Sequence, residues 1–486
     1  MRRLPSIALV AVWVALLGAL VLRTARPGPP AAAPRLDHAA VLPAREQWLA
    51  VLQHGQKVGY SHSRLTALAD GYAFAEELLL RASVLDVPQT VRTRMDGRCD
   101  ANFALREVDF ALDGGAAPFR ARAVVEGSAL HLTFWLGGEK SEQRVALNGP
   151  LYLPWAVRAA VGAGRMEAGR RWEASVFDPL LMRAEPTRVA VVRQEQVPDA
   201  APGVLGWRVE EEFHGVKSTA WIDPTVGVLR EEGPLGLVLV RQGRDEVGSE
   251  ARAEGAALDV VALVAVPVAR SIDDPRSLRS LRLRVSGVAP EAIPVDVEQV
   301  RVGATVTITR RDPVADGAYR LPYRDTDLAP DLVSTPFLQS DHPRIQALAR
   351  QILAGDDDAE RAARRLTDWV YREIRKTPKA TVPNALQVLA MREGDCNEHA
   401  VLLAALARAA GLPTRVVAGV VYLDGAFLYH AWCEVWLGRW VPVDPTFGQV
   451  PADATHLKLL VGGPEQHMGL LDVVGRLQLE VLDDPA

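Results

Sequence analysis

Cysteine is scarce in this chain of 486 residues, which contains three, Cys99, Cys396 and Cys433. Small secreted proteins that depend on disulfides carry many more cysteines at close spacing. Three widely separated cysteines therefore exclude a disulfide framework, and their odd number leaves at least one thiol free. A free thiol is a candidate for chemistry.

An excess of positive charge is also missing, because 55 Lys and Arg stand against 60 Asp and Glu, a formal net charge of -5. Proteins that bind nucleic acid need a basic surface for the phosphate backbone, so we expect no nucleic-acid partner. The 49% hydrophobic and 24% charged residues are typical of a folded protein. The length predicts two or three domains.

Long hydrophobic runs are rare, and the most prominent one is the uncharged segment 4–22, which follows Arg2 and Arg3 and ends before Arg23. It is close to the ~20 residues that span a bilayer. We therefore predict a transmembrane signal anchor over residues 1–25, single-pass in the inner (cytoplasmic) membrane, with the bulk of the chain in the periplasm or exterior. Cleavage near Ala31 is the alternative.

Composition and periodicity divide the rest of the chain. Residues 26–44 are rich in proline and alanine and predict a linker. Residues 45–248 contain short alternating apolar runs separated by turn dipeptides, which predict an antiparallel β domain with one helix near 153–161. Residues 258–330 alternate in the same way and predict a small β domain. The period changes to that of a helix near Pro343, which opens a third domain over 335–475.

A helix start with a cysteine lies in the third domain. Asp395 is a candidate N-cap, Glu398 follows three residues later as in a capping box, and Gly411 marks the end of the helix. Cys396 then lies at the helix N-terminus, where the positive end of the helix dipole favours a thiolate. The pattern predicts a nucleophilic cysteine with a lowered pKa.

A nucleophilic thiol needs a base, and the base needs an orienting acceptor. Three strands follow the helix, at 415–422, 427–437 and 440–443. Alternation on the middle strand places His430 and Trp432 on one face. Asp444 ends the neighbouring strand, so we expect it beside His430.

These residues resemble known motifs. Gly394-Asp395-Cys396, His430-Ala431-Trp432 and Trp440-Val-Pro-Val-Asp444-Pro445 are similar to the three motif blocks of the transglutaminase-like superfamily. The resemblance implies a papain-type domain with Cys396 as nucleophile, His430 as base and Asp444 as orienting acid, and a chemistry that needs no cofactor. The superfamily includes cross-linking enzymes, deamidases, peptidases and inactive scaffolds, so the motifs leave the reaction open.

The expected protein is of the α+β class: an N-terminal membrane anchor, antiparallel β domains and a C-terminal transglutaminase-like domain of helices and antiparallel sheet. We expect a thiol peptidase, amidase or acyltransferase that acts on protein or peptide amides in the cell envelope. The alternative is a non-catalytic envelope scaffold whose β domain recognises a partner or a hydrophobic ligand. The sequence does not define an oligomeric state.

A zinc site is a rival interpretation of the same residues. Cys396-x-x-His399 and His430-x-x-Cys433 look like two halves of a ligand set. Positions 430 and 433 of a strand, however, point to opposite faces. Geometry therefore argues against zinc.

Overall fold

The computed structural model describes residues 42–482 apart from several short gaps. The predicted anchor lies outside the described residues, as do most of the linker and part of the helix expected at 153–161. Among the described helices, none has both the length and the apolarity to cross a membrane. The gaps are residues 85–86, 114–118, 137–138, 155, 158, 160–165, 179–182, 214–215, 234–235, 251–256, 260–264, 313–318, 378–383, 463–469, 471–472 and 474–475.

A large antiparallel meander follows the linker. Alternating apolar and polar residues build its strands, because successive side chains of a strand point to opposite faces. Its strands are β1 (Arg45–Gln53), β2 (Gln56–Leu68), β3 (Gly71–Val84), β4 (Val87–Asp100), β5 (Leu105–Asp113), β6 (Phe119–Glu126), β7 (Ala129–Leu136), β8 (Glu139–Ala146), β9 (Arg171–Asp178), β10 (Arg183–Gln196), β11 (Leu205–Phe213), β12 (Val216–Asp223), β13 (Gly227–Glu232) and β14 (Leu237–Arg241).

The meander forms one continuous sheet. Each strand pairs with its neighbour in sequence from β1 to β8 and from β9 to β14, and β1 pairs with β14 in the middle of the sheet. One face covers an apolar core, which includes Phe74, Phe103, Leu130 and Phe177. The segment thus has the antiparallel character that the sequence predicts.

Short elements connect this sheet to the rest of the chain. Strand β15 adds to β3 in parallel. Further along the chain, β17, β18 and β19 form a separate small antiparallel sheet, which the C-terminal strand β26 (Gln478–Leu482) completes. The elements are α1 (Arg244–Glu250), β15 (Leu258–Asp259), β16 (Val266–Pro267), β17 (Ser280–Ser286), β18 (Gln299–Val302) and β19 (Thr305–Thr309).

The C-terminal region packs helices against a second antiparallel sheet. Helix α5 contacts α2, α3, α4 and strand β23, so its apolar residues are buried on all sides. The elements are α2 (Pro343–Leu353), α3 (Ala359–Glu373), β20 (Arg375–Lys376), α4 (Ala385–Met391), β21 (Glu393–Gly394), α5 (Cys396–Ala409), β22 (Thr414–Leu423), β23 (Ala426–Trp436), β24 (Trp440–Val443), β25 (Leu457–Val461) and β26 (Gln478–Leu482).

The small sheet and the C-terminal region share strands and a core. Strand β16 pairs with β23, and β26, the last strand described, pairs with β17. The division into domains at 258–330 and 335–475 stays a prediction, and the two segments are joined in the structure. Their common core contains Val266, Leu283, Val306, Val420, Phe427, Leu457 and Leu479.

Candidate functional site

Cys396 is the first residue of α5, and the predicted capping box is confirmed. The Asn397 main-chain N–H donates to Asp395 Oδ1 at 2.8 Å, and the Asp395 N–H donates to Glu398 Oε2 at 2.9 Å. Gly394 is required just before the cap, because a Cβ there would lie 2.3 Å from the Glu398 Cβ. The cap fixes where the helix begins and therefore where the sulfur lies.

The Cys396 thiol faces strand β23. Its sulfur has a hydrogen bond with the main chain of Ala431, the residue after His430. Burial raises the pKa of the thiol well above its usual range, and the nearby Asp395 carboxylate raises it further. The lowered pKa predicted from the helix terminus is wrong, since a dipole effect of about 1 kcal/mol does not outweigh these terms. The site as it stands favours a neutral thiol.

His430 and Asp444 form the buried pair that the sequence predicts. His430 Nε2 lies 2.7 Å from Asp444 Oδ2, and the two side chains are 6% and 0% exposed. The register that pairs Cys433 with Val443 brings the end of β24 beside β23. Burial alone would raise the pKa of Asp444, but the interactions with His430 and His456 outweigh it and hold this pKa far below its usual range.

The surroundings of Asp444 determine how the His430 ring is used. Asp444 Oδ1 accepts the main-chain N–H groups of Thr446 at 2.6 Å and Phe447 at 3.0 Å. The ionised carboxylate only accepts, so His430 Nε2 is the donor. His430 Nδ1 makes no hydrogen bond within the described part of the chain. This nitrogen is therefore available to take a proton.

Two of the three predicted residues are in direct contact, and the third reaches them less directly. His430 and Asp444 are in direct contact, and the Phe447 ring stacks on His430 with centroids 5.0 Å apart. Cys396 reaches the same strand through the main chain of Ala431. Between the sulfur and the His430 ring, the described residues contain no hydrogen bond.

Sequence reasoning missed His456. Its Nε2 lies 2.9 Å from the same Asp444 Oδ2, and its Nδ1 lies 3.0 Å from the main-chain oxygen of Asp453. Burial alone would lower the pKa of His456, but the hydrogen bonds to Asp444 and Asp453 outweigh it and raise this pKa to about 9. The available signal was weak: a histidine three residues after an aspartate, beyond the last motif block.

A second missed residue comes from far upstream. Arg276 Nη1 lies 2.8 Å from Asp453 Oδ2, and the guanidinium lies 4.3 Å from the centroid of the Phe447 ring. Arg276, Asp453, His456, Asp444 and His430 thus form a continuous chain of polar contacts. No short-range sequence pattern links position 276 to the site.

Donors for a developing oxyanion are present at the helix start. The main-chain N–H of Cys396 makes no hydrogen bond to any residue that the structure describes. The side chain of Asn397 is already engaged, because its Oδ1 accepts from the Tyr429 hydroxyl at 3.0 Å and its Nδ2 donates to Asp395 at 3.2 Å. The Cys396 N–H is therefore the better candidate.

The zinc set considered above does not converge. Cys433 Sγ donates to the Ala400 oxygen at 3.2 Å, on the face of β23 that packs against α5. His399 Nδ1 lies 2.6 Å from the Asp395 oxygen. Another group, His430, Asp444 and His456, has atoms within 4.8 Å that could hold a cation. Their 2.7 and 2.9 Å contacts are hydrogen-bond lengths, which account for the arrangement.

A separate cavity lies in the large sheet. Its volume is about 110 Å³, and it opens to solvent. Its lining is nearly half polar and includes four charged residues, Arg45, Arg64, Glu76 and Glu231. Burial and the nearby Arg241 lower the pKa of Arg45. The apolar lining includes Leu49, Leu65, Phe74 and Ile222.

Known proteins resemble parts of the chain. Residues 346–445 match the family description "Transglutaminase-like superfamily". No curated protein matches the chain. Solved structures with partial resemblance are a candidate cysteine protease from Cytophaga hutchinsonii (19% identity, 43% of this chain and 88% of that chain, TM-score 0.30) and a β-barrel-like protein of unknown function from Brucella abortus (12% identity, 42% and 96%, TM-score 0.32). At these scores neither structural resemblance bears on function.

Proposed function

We propose that the chain is a thiol-dependent enzyme that cleaves or transfers amide groups of proteins or peptides, because residues 346–445 match the transglutaminase-like superfamily. The observation that carries the proposal is the buried His430–Asp444 pair, whose histidine lies on the strand that the Cys396 sulfur contacts. A carboxylate that holds one ring nitrogen and leaves the other for a proton is the arrangement that nucleophilic catalysis uses.

The first step is attack by Cys396 Sγ on an amide carbonyl carbon. The thiol proton passes to His430 Nδ1 as the S–C bond forms, and the carbonyl electrons move onto the oxygen. The main-chain N–H of Cys396 stabilises this oxyanion. The raised pKa of the Cys396 thiol fits proton transfer during attack better than a thiolate formed beforehand.

The second step breaks the C–N bond. His430 gives its proton to the leaving nitrogen, the amine or ammonia departs, and a thioacyl-enzyme remains on Cys396. Water then yields an acid, or a second amine yields a new amide, and the sulfur regains its proton through His430. Asp444 holds the ring throughout through its bond to Nε2.

The test measures acyl-enzyme formation with the full chain. Peptides with glutamine carboxamides or internal peptide bonds are incubated with wild-type protein, and the mass of the Cys396-containing fragment and the release of ammonia or amine are followed. We expect a thioacyl adduct that is lost in Cys396→Ala. Cys433→Ala is the matched control, because its buried thiol donates to the Ala400 oxygen of helix α5, and it should keep the adduct. The absence of any adduct or turnover from both peptide classes contradicts the proposal.

The proposed setting is the cell envelope, with segment 4–22 as an uncleaved anchor in the inner membrane. Its uncharged length between Arg3 and Arg23 supports this. Protease treatment of intact spheroplasts should digest the bulk of the chain and leave the N-terminus in the membrane fraction. Recovery of the whole chain in the soluble fraction contradicts an anchor.

A second candidate function is supported by the cavity in the large sheet. In this second function, the β domain binds a hydrophobic ligand or a partner, and the thiol site is not used. Native mass spectrometry of the purified full chain should then detect a bound small molecule. A Leu65→Trp substitution, which fills the cavity, should remove it and leave any thioacyl adduct on Cys396 unchanged.

A further inference from the structure

The ring of His456 is surrounded by oxygen acceptors on both sides. Nε2 faces Asp444 Oδ2 at 2.9 Å, and Nδ1 faces the Asp453 main-chain oxygen at 3.0 Å and its Oδ1 at 3.3 Å. The side chain is 2% exposed, so bulk solvent does not compete for these contacts. A neutral imidazole has a single N–H, whereas this position offers acceptors to both ring nitrogens.

The neighbouring charges favour a cation at this position. Asp444 and Asp453 are the carboxylates in contact with the ring, and the His430 ring lies 5.7 Å away between centroids. Arg276 neutralises Asp453 from its far side. His456, Asp453 and Trp432 line a small cavity, whose other charged lining residues are Glu298, Arg310, Glu434 and Lys458.

We propose that His456 is a positioning residue of the site: as an imidazolium, it holds Asp444 Oδ2 in place against His430 and offsets part of the carboxylate charge. The effect of His456 on turnover rests on the proposed function. The protonation of its buried ring between two carboxylates does not depend on that function. It also extends the site beyond residues 346–445, since Arg276, Asp453 and His456 lie outside them.

The catalytic consequence follows from electrostatics. His430 becomes positive when it takes the thiol proton, and Asp444 stabilises that charge. A second cation on the same carboxylate oxygen opposes it, because like charges about 6 Å apart repel even at an effective dielectric constant of about 20. His456 therefore limits how strongly Asp444 stabilises the positive charge that His430 acquires from the Cys396 thiol.

The protonation itself is tested by NMR of the full chain with ¹⁵N-labelled histidine. The signal of His456 is assigned from its loss in His456→Gln, which keeps an N–H donor for Asp444 without a charge. We expect a doubly protonated ring at pH 7.5 that loses its proton near the pKa of about 9. Asp453→Asn removes one carboxylate and leaves the ring in place, so it should move this midpoint down by at least one pH unit.

The control is His399→Gln, which removes another buried histidine close to Cys396 that contacts main-chain oxygens only. It should leave the His456 signal unchanged. A singly protonated His456 at pH 7.5, or a midpoint that Asp453→Asn does not move, overturns the inference. These outcomes need no turnover, so they are distinct from a failure of the proposed function.

Turnover supplies the catalytic readout. In His456→Gln we expect the acid limb of the kcat/KM profile to shift upward by about one pH unit, since a cation has been removed beside the base. A purely structural role would lower kcat/KM at every pH without moving the limb, and that result contradicts the positioning role.

Discussion

The large sheet and the C-terminal region differ in where the charged side chains named below lie. In the sheet, ion pairs such as Arg122 with Asp109 and Arg188 with Glu173 lie on the exposed face, over an apolar core. In the C-terminal region, Asp444, Asp453 and Lys458 are almost fully buried. Exposed pairs add at most about 1 kcal/mol, whereas a buried charge is tolerated only with partners. The buried charges of the C-terminal region therefore depend on their partners far more than the exposed pairs of the sheet do.

The largest effect is expected at the centre of the buried network. Asp444→Asn keeps the size of the side chain but removes the charge that orients His430 and stabilises it when protonated. We expect turnover to fall by roughly 10⁴-fold. The measurement is kcat on the amide substrate found with wild-type protein. Asp109→Asn, an equivalent change on the exposed sheet, should keep full activity; a similar loss there would remove the contrast between the regions.

The next effect concerns stability. Glu434 pairs with Lys458 at 2.6 Å and with Arg415 at 2.6 Å, and it is 2% exposed. Glu434→Gln leaves Lys458 short of one partner, and we expect the free energy of unfolding to fall by about 3–5 kcal/mol, measured by urea denaturation. The double variant Glu434→Gln with Lys458→Met should recover part of the loss. An equal loss of unfolding free energy in the single and double variants would contradict coupling between Glu434 and Lys458.

The stability of the C-terminal region should depend on pH through His456, which has no counterpart among the exposed ion pairs of the sheet named above. The pKa of His456 rises from 6.5 to about 9 on folding, so its contribution is fully present below pH 6.5 and is lost as pH rises through 9. We expect the unfolding free energy of the C-terminal region to decrease by about 3 kcal/mol over this range. In His456→Gln the decrease should be absent. A decrease of the same size in that variant would assign it to another group.

The smallest effect is expected on the exposed sheet. Arg122 contacts Glu107 at 2.9 Å and Asp109 at 3.0 Å, yet all three side chains are solvent-accessible. Arg122→Ala should lower the free energy of unfolding by less than about 1 kcal/mol, and by less still in 1 M salt. Urea denaturation at two salt concentrations measures this. A loss above 2 kcal/mol would mean that the pair is not an ordinary surface contact.

Local rules predicted the centre of the site well. The capping box at Asp395 and Glu398 is confirmed, and so is the β22–β23 hairpin whose turn is Asp424-Gly425. The contact of His430 with Asp444 followed from adjacent strands. These features depend on residues close in sequence or on neighbouring strands, where period and turn chemistry are informative.

The rest of the site depends on contacts between residues far apart in sequence, which local sequence patterns do not predict. Arg276 and Asp453 are 177 positions apart, and His456 carries no motif of its own. The thiol pKa of Cys396 was predicted in the wrong direction because burial depends on the packed structure, whereas the helix start can be read locally. Sequence patterns thus predicted the contact of His430 with Asp444, and packing determines the electrostatic environment of the predicted site.

Strand β26 follows the site in sequence yet pairs with β17, which precedes it by almost 200 residues. Synthesis proceeds from the N-terminus, so this sheet stays open on the ribosome until the last strand emerges. His456 and Asp453 also lie downstream of the thiol. A nascent chain therefore carries Cys396 before the contacts of Asp444 with His456 and of β17 with β26 can form.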